Sequence, residues 1–229
     1  MGFVGNLAGQ KAVAAQKKQD YAAALKLYRE AMEKGMDRPA LVRNYGYLLV
    51  RQGQFDEALE ILARAEKLSG NSESDRSDII AYYAIALWKK GRLPEAVDLL
   101  KRRLAHGNNS TLYSVLGFLM IETGDADAAL EFNAKALDYD PEDPIFLDNM
   151  GQTYYRLLQD GVKARRCFEK ALEKKPNAID TNYCLALMAL DEGRKEEAKQ
   201  KLETALKGNF TPLNYATPEK IRSALERCT

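Results

Sequence analysis

The chain has 229 residues, 46% hydrophobic and 29% charged, which is enough apolar content to bury a sizeable core and the balance of an ordinary soluble protein. A formal net charge of +1 argues against a polyanion-binding chain, and so against nucleic acid as its partner. The three cysteines, Cys167, Cys184 and Cys228, are odd in number and lack C-x-x-C spacing. Neither a disulfide framework nor a zinc site is indicated, and a reducing, intracellular setting such as the cytoplasm fits best. No apolar run approaches the ~20 residues that cross a bilayer. The opening MGFVGNLAGQ has neither the apolar run nor the basic start of a secretory signal, and Asn6 stands where myristoylation at Gly2 needs Ser or Thr.

Taken in order, the sequence reads as six pairs of short amphipathic helices. The first pair, about residues 5–38, opens weakly, since Ala8, Ala12 and Ala15 offer little area. It continues in a clear second helix with Tyr21, Ala24, Tyr28 and Ala31 at helical spacing. The second pair, about 39–72, carries Val42, Tyr45, Gly46 and Leu49, then Gly53, Phe55, Ala58, Leu62 and Ala65. Ala58 falls 34 residues after Ala24, whereas Ala96 falls 38 after Ala58. The four extra residues lie in SGNSESDRSD, which forms either a loop or, the reading favoured here, one added turn at the start of the next helix, capped by Ser or Asp. The third pair, about 77–109, shows Ile80, Tyr83, Ala84 and Leu87, then Gly91, Leu93, Ala96 and Leu100. The fourth, about 110–143, shows Tyr113, Leu116, Gly117 and Met120, then Gly124, Ala129, Ala136 and Pro141.

The fifth pair, about 144–178, is the clearest. Leu147, Met150, Gly151 and Tyr154 form one helical face, and Ala164, Phe168, Ala171 and Leu172 form the other. Gln159-Asp160-Gly161 breaks the chain between them, and Pro176 closes the unit. The sixth, about 179–212, has Leu185, Ala186, Gly193, Ala198, Leu202 and Ala205. After Gly208 the pattern fails. Thr217-Pro218 reads as a cap with proline in the first helical turn, opening a helix over about 218–228 whose apolar stripe is Ile221, Ala224 and Leu225.

The run Leu147-x2-Met150-Gly151-x2-Tyr154, followed by Ala164-x3-Phe168, Ala171 and Pro176, resembles the tetratricopeptide repeat, whose signature spans 34 residues. Six copies cover about residues 5–212. The resemblance implies an all-α fold, a right-handed superhelical α-solenoid of antiparallel hairpins. A single domain over 1–229 is expected, its last helix shielding the open end. Several positions depart from the signature: Lys11 replaces a leucine, Arg103 an alanine, and Asn133 and Asn182 aromatics, with Phe132 a substitute for the first of these. One extra residue between Gly151 and Ala164 is assigned to the turn and not to either helix.

Catalysis needs a constellation of groups. His106 is the only histidine and falls in a predicted turn without a cysteine or serine partner. Phosphate-binding and dinucleotide fingerprints and metal-ligand spacings are missing, and the carboxylates are assigned to outward helix faces beside lysines. The chain is therefore expected to be no enzyme and to carry no cofactor and no metal. Charge is uneven: residues 110–150 hold nine acidic side chains, from Glu122 to Asp148, against Lys135 alone, while residues 1–51 hold nine Lys or Arg against four acids. Either these are solvated outer faces, or a basic end and an acidic middle steer an oppositely patterned partner.

The resemblance also implies that the first helices line a concave surface on which peptides dock. Off their core faces stand Tyr47, Val50, Ile85, Trp88, Phe118, Ile121, Tyr155, Leu187 and Leu190, which either pack against neighbouring hairpins or bind. Asn44 and Asn149 match an asparagine common on that flank, and Lys17, Arg43 and Arg51 add positive charge. The Lys-x3-Asn pair with which some family members grip carboxylates is missing; Arg43-x3-Tyr47 comes nearest. The expectation is a non-catalytic protein-interaction or scaffolding module that binds an apolar-rich peptide or helix. Its candidate groove is Arg43, Asn44, Tyr47, Arg51, Ile85, Trp88, Phe118, Ile121, Asn149, Tyr155 and Leu187, with no membrane insertion. A scaffold that assembles with its own copies and a regulatory subunit of an enzyme complex are the alternatives.

Overall fold

The computed structural model describes residues 2–70 and 72–228. Over these residues the chain is all-helical, with thirteen α-helices and one π-helical turn. It divides into two compact units, Met1–Leu112 and Tyr113–Thr229.

The first unit contains three hairpins: α1 (Gly2–Lys17) with α2 (Tyr21–Glu33), α3 (Pro39–Arg51) with α4 (Phe55–Leu68), and α5 (Glu73–Lys89) with α6 (Leu93–Leu104). The turns are written in the chain. Asp20 accepts the Ala23 N–H at 3.0 Å to cap α2, and Gly53, at φ +73°, ends α3 in the left-handed region that glycine enters without steric cost. Within a hairpin the small residues set the spacing. A Cβ added to Gly46 would lie 2.5 Å from Leu62 Cδ2, so α3 and α4 touch there at closer than side-chain distance.

The added turn expected before the third hairpin is present: α5 starts at Glu73 and runs 17 residues, and the Ser72 side chain accepts the Asp75 N–H to cap it. Arg103 stands in an alanine's place because it serves that turn. Only 9% exposed, it donates to Ser77 Oγ at 3.1 Å and to the Glu73 carbonyl at 2.9 Å. It also pairs with the Glu73 carboxylate. A guanidinium this deep needs such partners.

The second unit holds α7 (Ser110–Glu122, from Tyr113 onward), α8 (Ala126–Tyr139), α9 (Pro144–Gln152), α10 (Gly161–Lys174), α11 (Ile179–Asp191), α12 (Lys195–Leu206) and α13 (Pro218–Glu226). Here the extra residue between Gly151 and Ala164 is not in the turn, as the sequence suggested, but inside the first helix. Thr153–Leu157 forms a π-helical turn that continues α9, with the Leu158 N–H reaching the Thr153 carbonyl at 3.2 Å. One residue is absorbed as a bulge, so Gly151 and Ala164 both keep their inward faces. Asn133 explains its own departure from the aromatic. Wholly buried, it donates to the Gly117 carbonyl at 3.2 Å and to Thr153 Oγ1 at 3.1 Å, while Thr153 donates to the Asn149 carbonyl at 2.9 Å. The bulge is thus pinned to α7 and α8. Asn182, equally out of pattern, donates to the carbonyls of Pro176 and Ala178 and ties down the start of α11.

Beyond Gly208 the chain forms a loop and then α13, capped by Thr217, which accepts the Lys220 N–H at 3.3 Å. Ile221 and Ala224 of α13 are buried in the same core as Leu185, Leu202 and Ala205. Among the described residues, no helix is long and apolar enough to cross a membrane.

Candidate functional site

In the second unit a cavity of about 190 Å³ opens between the first helices of its hairpins. One wall is α7, through Val115 and Phe118. A second is α9, through Ile145, Asp148, Asn149 and Gln152. The start of α11 supplies Ile179, Asp180 and Thr181, and the loop before α13 closes the space with Leu213 and Asn214; Lys175 stands among the lining residues. The repeat positions these groups. Asp148, Asn149 and Gln152 occur three and four residues apart on α9, hence on one helical face, and Asn149 is locked there by donating to the Ser114 carbonyl at 3.0 Å.

Two carboxylates stand among the polar groups of this cavity, and each of their four oxygens has a donor from the chain. Asp148 accepts from Thr181 Oγ1 at 2.5 Å and from Gln152 Nε2 at 2.7 Å. Asp180 accepts from the Ala216 N–H at 2.9 Å and from Asn214 Nδ2 at 3.1 Å. Gln152 and Thr181 are wholly buried, so Asp148 is held in a fixed position. Arg156, the nearest guanidinium on α9's extension, is engaged elsewhere. It donates to Gln152 Oε1 at 3.0 Å, pairs with Glu122 at 2.7 Å, and lies 4.0 Å over the Tyr215 ring.

The electrostatic result follows from this crowding. Burial, and after it the charge of neighbouring Asp180, push the Asp148 carboxyl from its ordinary 3.8 up to about 7. Burial also raises Asp180, against the pull of the Ala216 and Asn214 bonds. Cys184 lies beneath, wholly enclosed, and burial followed by the two aspartates drives its thiol well above the usual range. It is a packed side chain and not a nucleophile.

The outward assignment of the carboxylates therefore fails for Asp148 and Asp180, which line a cavity. Of the groove residues read from the sequence, Phe118 and Asn149 line this cavity too. Ile121 is buried, while Tyr155 and Leu187 pack on the core that α11, α12 and α13 share. In the first unit, Ile85 is 1% exposed. Tyr47 stacks on Tyr82 with ring centroids 3.9 Å apart, and Arg43 is paired with Asp75. Trp88 is half-buried with the Lys89 ammonium 3.8 Å from its ring centre, Asn44 is half-buried, and Arg51 is exposed. Sequence reasoning missed Asp148, Gln152, Asp180, Thr181 and Asn214 as a group. The only available signal was that Asp148 and Gln152 sit off the core face of a first helix.

Residues 15–73 match the family model for the tetratricopeptide repeat. A search of curated proteins found no match. Among solved structures, a tetratricopeptide repeat protein from Parabacteroides merdae superposes with a TM-score of 0.78 at 13% identity, over 97% of this chain and 83% of that one. A thermophilic tetratricopeptide repeat protein of Thermus thermophilus gives 0.67 at 20% identity, over 83% and 98%. Human IFIT1, in a dimer with m7Gppp-AAAA, gives 0.66 at 20% identity, over 91% and 51%. At these identities the likeness is one of fold.

Proposed function

We propose that this tetratricopeptide repeat protein is a non-catalytic protein-interaction or scaffolding module that takes an apolar-rich peptide or helix against its first helices. The observation that carries the reading is the cavity between α7, α9 and α11, an opening with walls of Val115, Phe118, Ile145, Ile179 and Leu213. A partner side chain entering it removes apolar surface from water on both sides, worth roughly 25 cal/mol per Å². Recognition on first helices is also what the family's architecture offers. The aspartates favour binding over chemistry, since every carboxylate oxygen accepts a bond from the chain that fixes its position. They also disfavour a nucleic acid. The phosphates of a ligand such as the m7Gppp-AAAA of the IFIT1 dimer would meet two carboxylates here.

The test is a random peptide library panned against the full chain and against Ile145→Arg. Ile145 is 43% exposed at the cavity, so the substitution adds bulk and charge without disturbing a core. Enrichment of apolar-containing peptides that bind the wild type and lose at least about tenfold on Ile145→Arg supports the reading. Failure to enrich any, or binding indifferent to Ile145→Arg, overturns it.

A further inference from the structure

We propose that this cavity selects its partner by a single cationic side chain, a lysine or arginine whose stem lies along the apolar walls and whose head reaches Asp148 and Asp180. The inference rests on the docking reading above and names what the docked segment must carry. At about 190 Å³, the cavity lies below the ~300 Å³ at which sites for drug-sized ligands begin. It suits one long side chain and not a cofactor. Its lining holds what such a side chain needs: apolar groups for a methylene stem, in Phe118, Ile145 and Leu213, and two aspartates for a charged head.

The polar floor is asymmetric in what it has and what it lacks. A carboxylate offers about four acceptor sites. Asp148 uses two, on Thr181 and Gln152, and Asp180 uses three, on Ala216, Asn214 and the Tyr215 backbone N–H. Acceptor capacity is left over, and the chain's own nearby cations do not cancel the charge. Arg156 is committed to Glu122 and Gln152. Lys175 brings one positive charge against two negative ones. Burial raises both carboxyls, and the charge of Asp180 adds to the rise at Asp148, so a cation brought against them is favoured. A guanidinium or ammonium supplies both the donors and the charge.

The experiment titrates the full-length protein, labelled with ¹⁵N, with n-butylguanidinium and with its neutral isostere n-butylurea, at pH 8. Amide and side-chain resonances of Gln152, Asn214 and Ala216 are followed. Saturable shifts at these groups with butylguanidinium, about tenfold weaker or more with butylurea and lost in Asp148→Asn/Asp180→Asn, support the proposal. The comparison of the two probes on wild-type protein is decisive even if the double variant does not fold. Equal responses to both probes, or none to the cation, overturn cation selectivity while leaving the Ile145→Arg result untouched. Butylguanidinium binding, combined with library peptides that carry no excess of Lys or Arg, overturns the side-chain assignment in favour of a free amine.

Discussion

Asp148 illustrates how one carboxyl can be held in an unfavourable place by its neighbours. Its folded pKa of about 7 stands above the ordinary 3.8, so between those values the folded chain binds a proton that the unfolded chain has released. Stability from this group is therefore fully present below about pH 4 and is lost as pH rises through 7. The groups facing it are Asp180, whose carboxyl burial raises in the same direction, Thr181, Gln152 and Lys175. Asp148→Asn keeps an acceptor for Thr181 and removes the charge. Urea unfolding of wild type and variant should show the difference moving in the variant's favour from pH 5 to pH 8. A difference that is flat, or moves the other way, would mean that water or Lys175 already compensates the charge. The glycines make a second residue-scale case. A Cβ at Gly151 would fall 2.5 Å from Phe168 Cε1, and one at Gly117 would fall 2.3 Å from Asn133 Oδ1. Leucine at Gly46, Gly117 or Gly151 is expected to cost ~1–3 kcal/mol by overpacking. A Gly151→Leu protein that melts with wild type would contradict the hairpin contact itself.

At the scale of elements, the chain spends its irregularities in two different ways. Four residues beyond the repeat period extend α5 by about one turn, whereas one residue beyond it cannot make a turn and bulges the end of α9 instead. The first was legible in the sequence, because SGNSESDRSD carries its own cap. The second was not, because a π-helical turn has no composition of its own and depends on Thr153 meeting Asn133 across the hairpin contact. Arg103 belongs to the same class, an apparent mismatch that is satisfied only once the extra turn of α5 exists. Arg103→Ala should let that turn fray. Hydrogen exchange at the amides of Arg76 and Ser77 should quicken, while those of Leu87 and Trp88 keep their protection. If the first turn of α5 stays protected, the Ser72 cap alone holds it.

Across the whole molecule, the helical repeat could be read from sequence because small and large residues recur at similar offsets in most copies. The cavity could not. Three of its walls come from first helices, but it is completed by Leu213 and Asn214, in the stretch after Gly208 where periodicity stops and no pattern says which way the chain turns. Asp180 is a cavity residue only because that loop returns to bond it. All of the cavity's residues nevertheless come from one unit, and in repeat proteins stability is mostly a sum of neighbouring contacts. A fragment of residues 109–229, which keeps Asn109 to accept the Leu112 N–H at the start of α7, is thus expected to fold by itself. It should give a helical circular dichroism spectrum and one cooperative melt, at a lower temperature than the full chain because the fragment has fewer repeats. Butylguanidinium should bind it within about threefold of the full-length affinity, since the donors and carboxylates named above are all inside it. A fragment that folds but has lost the cavity's response would show that residues 1–108 take part in shaping the site, and the assignment of the site to the second unit alone would then be wrong.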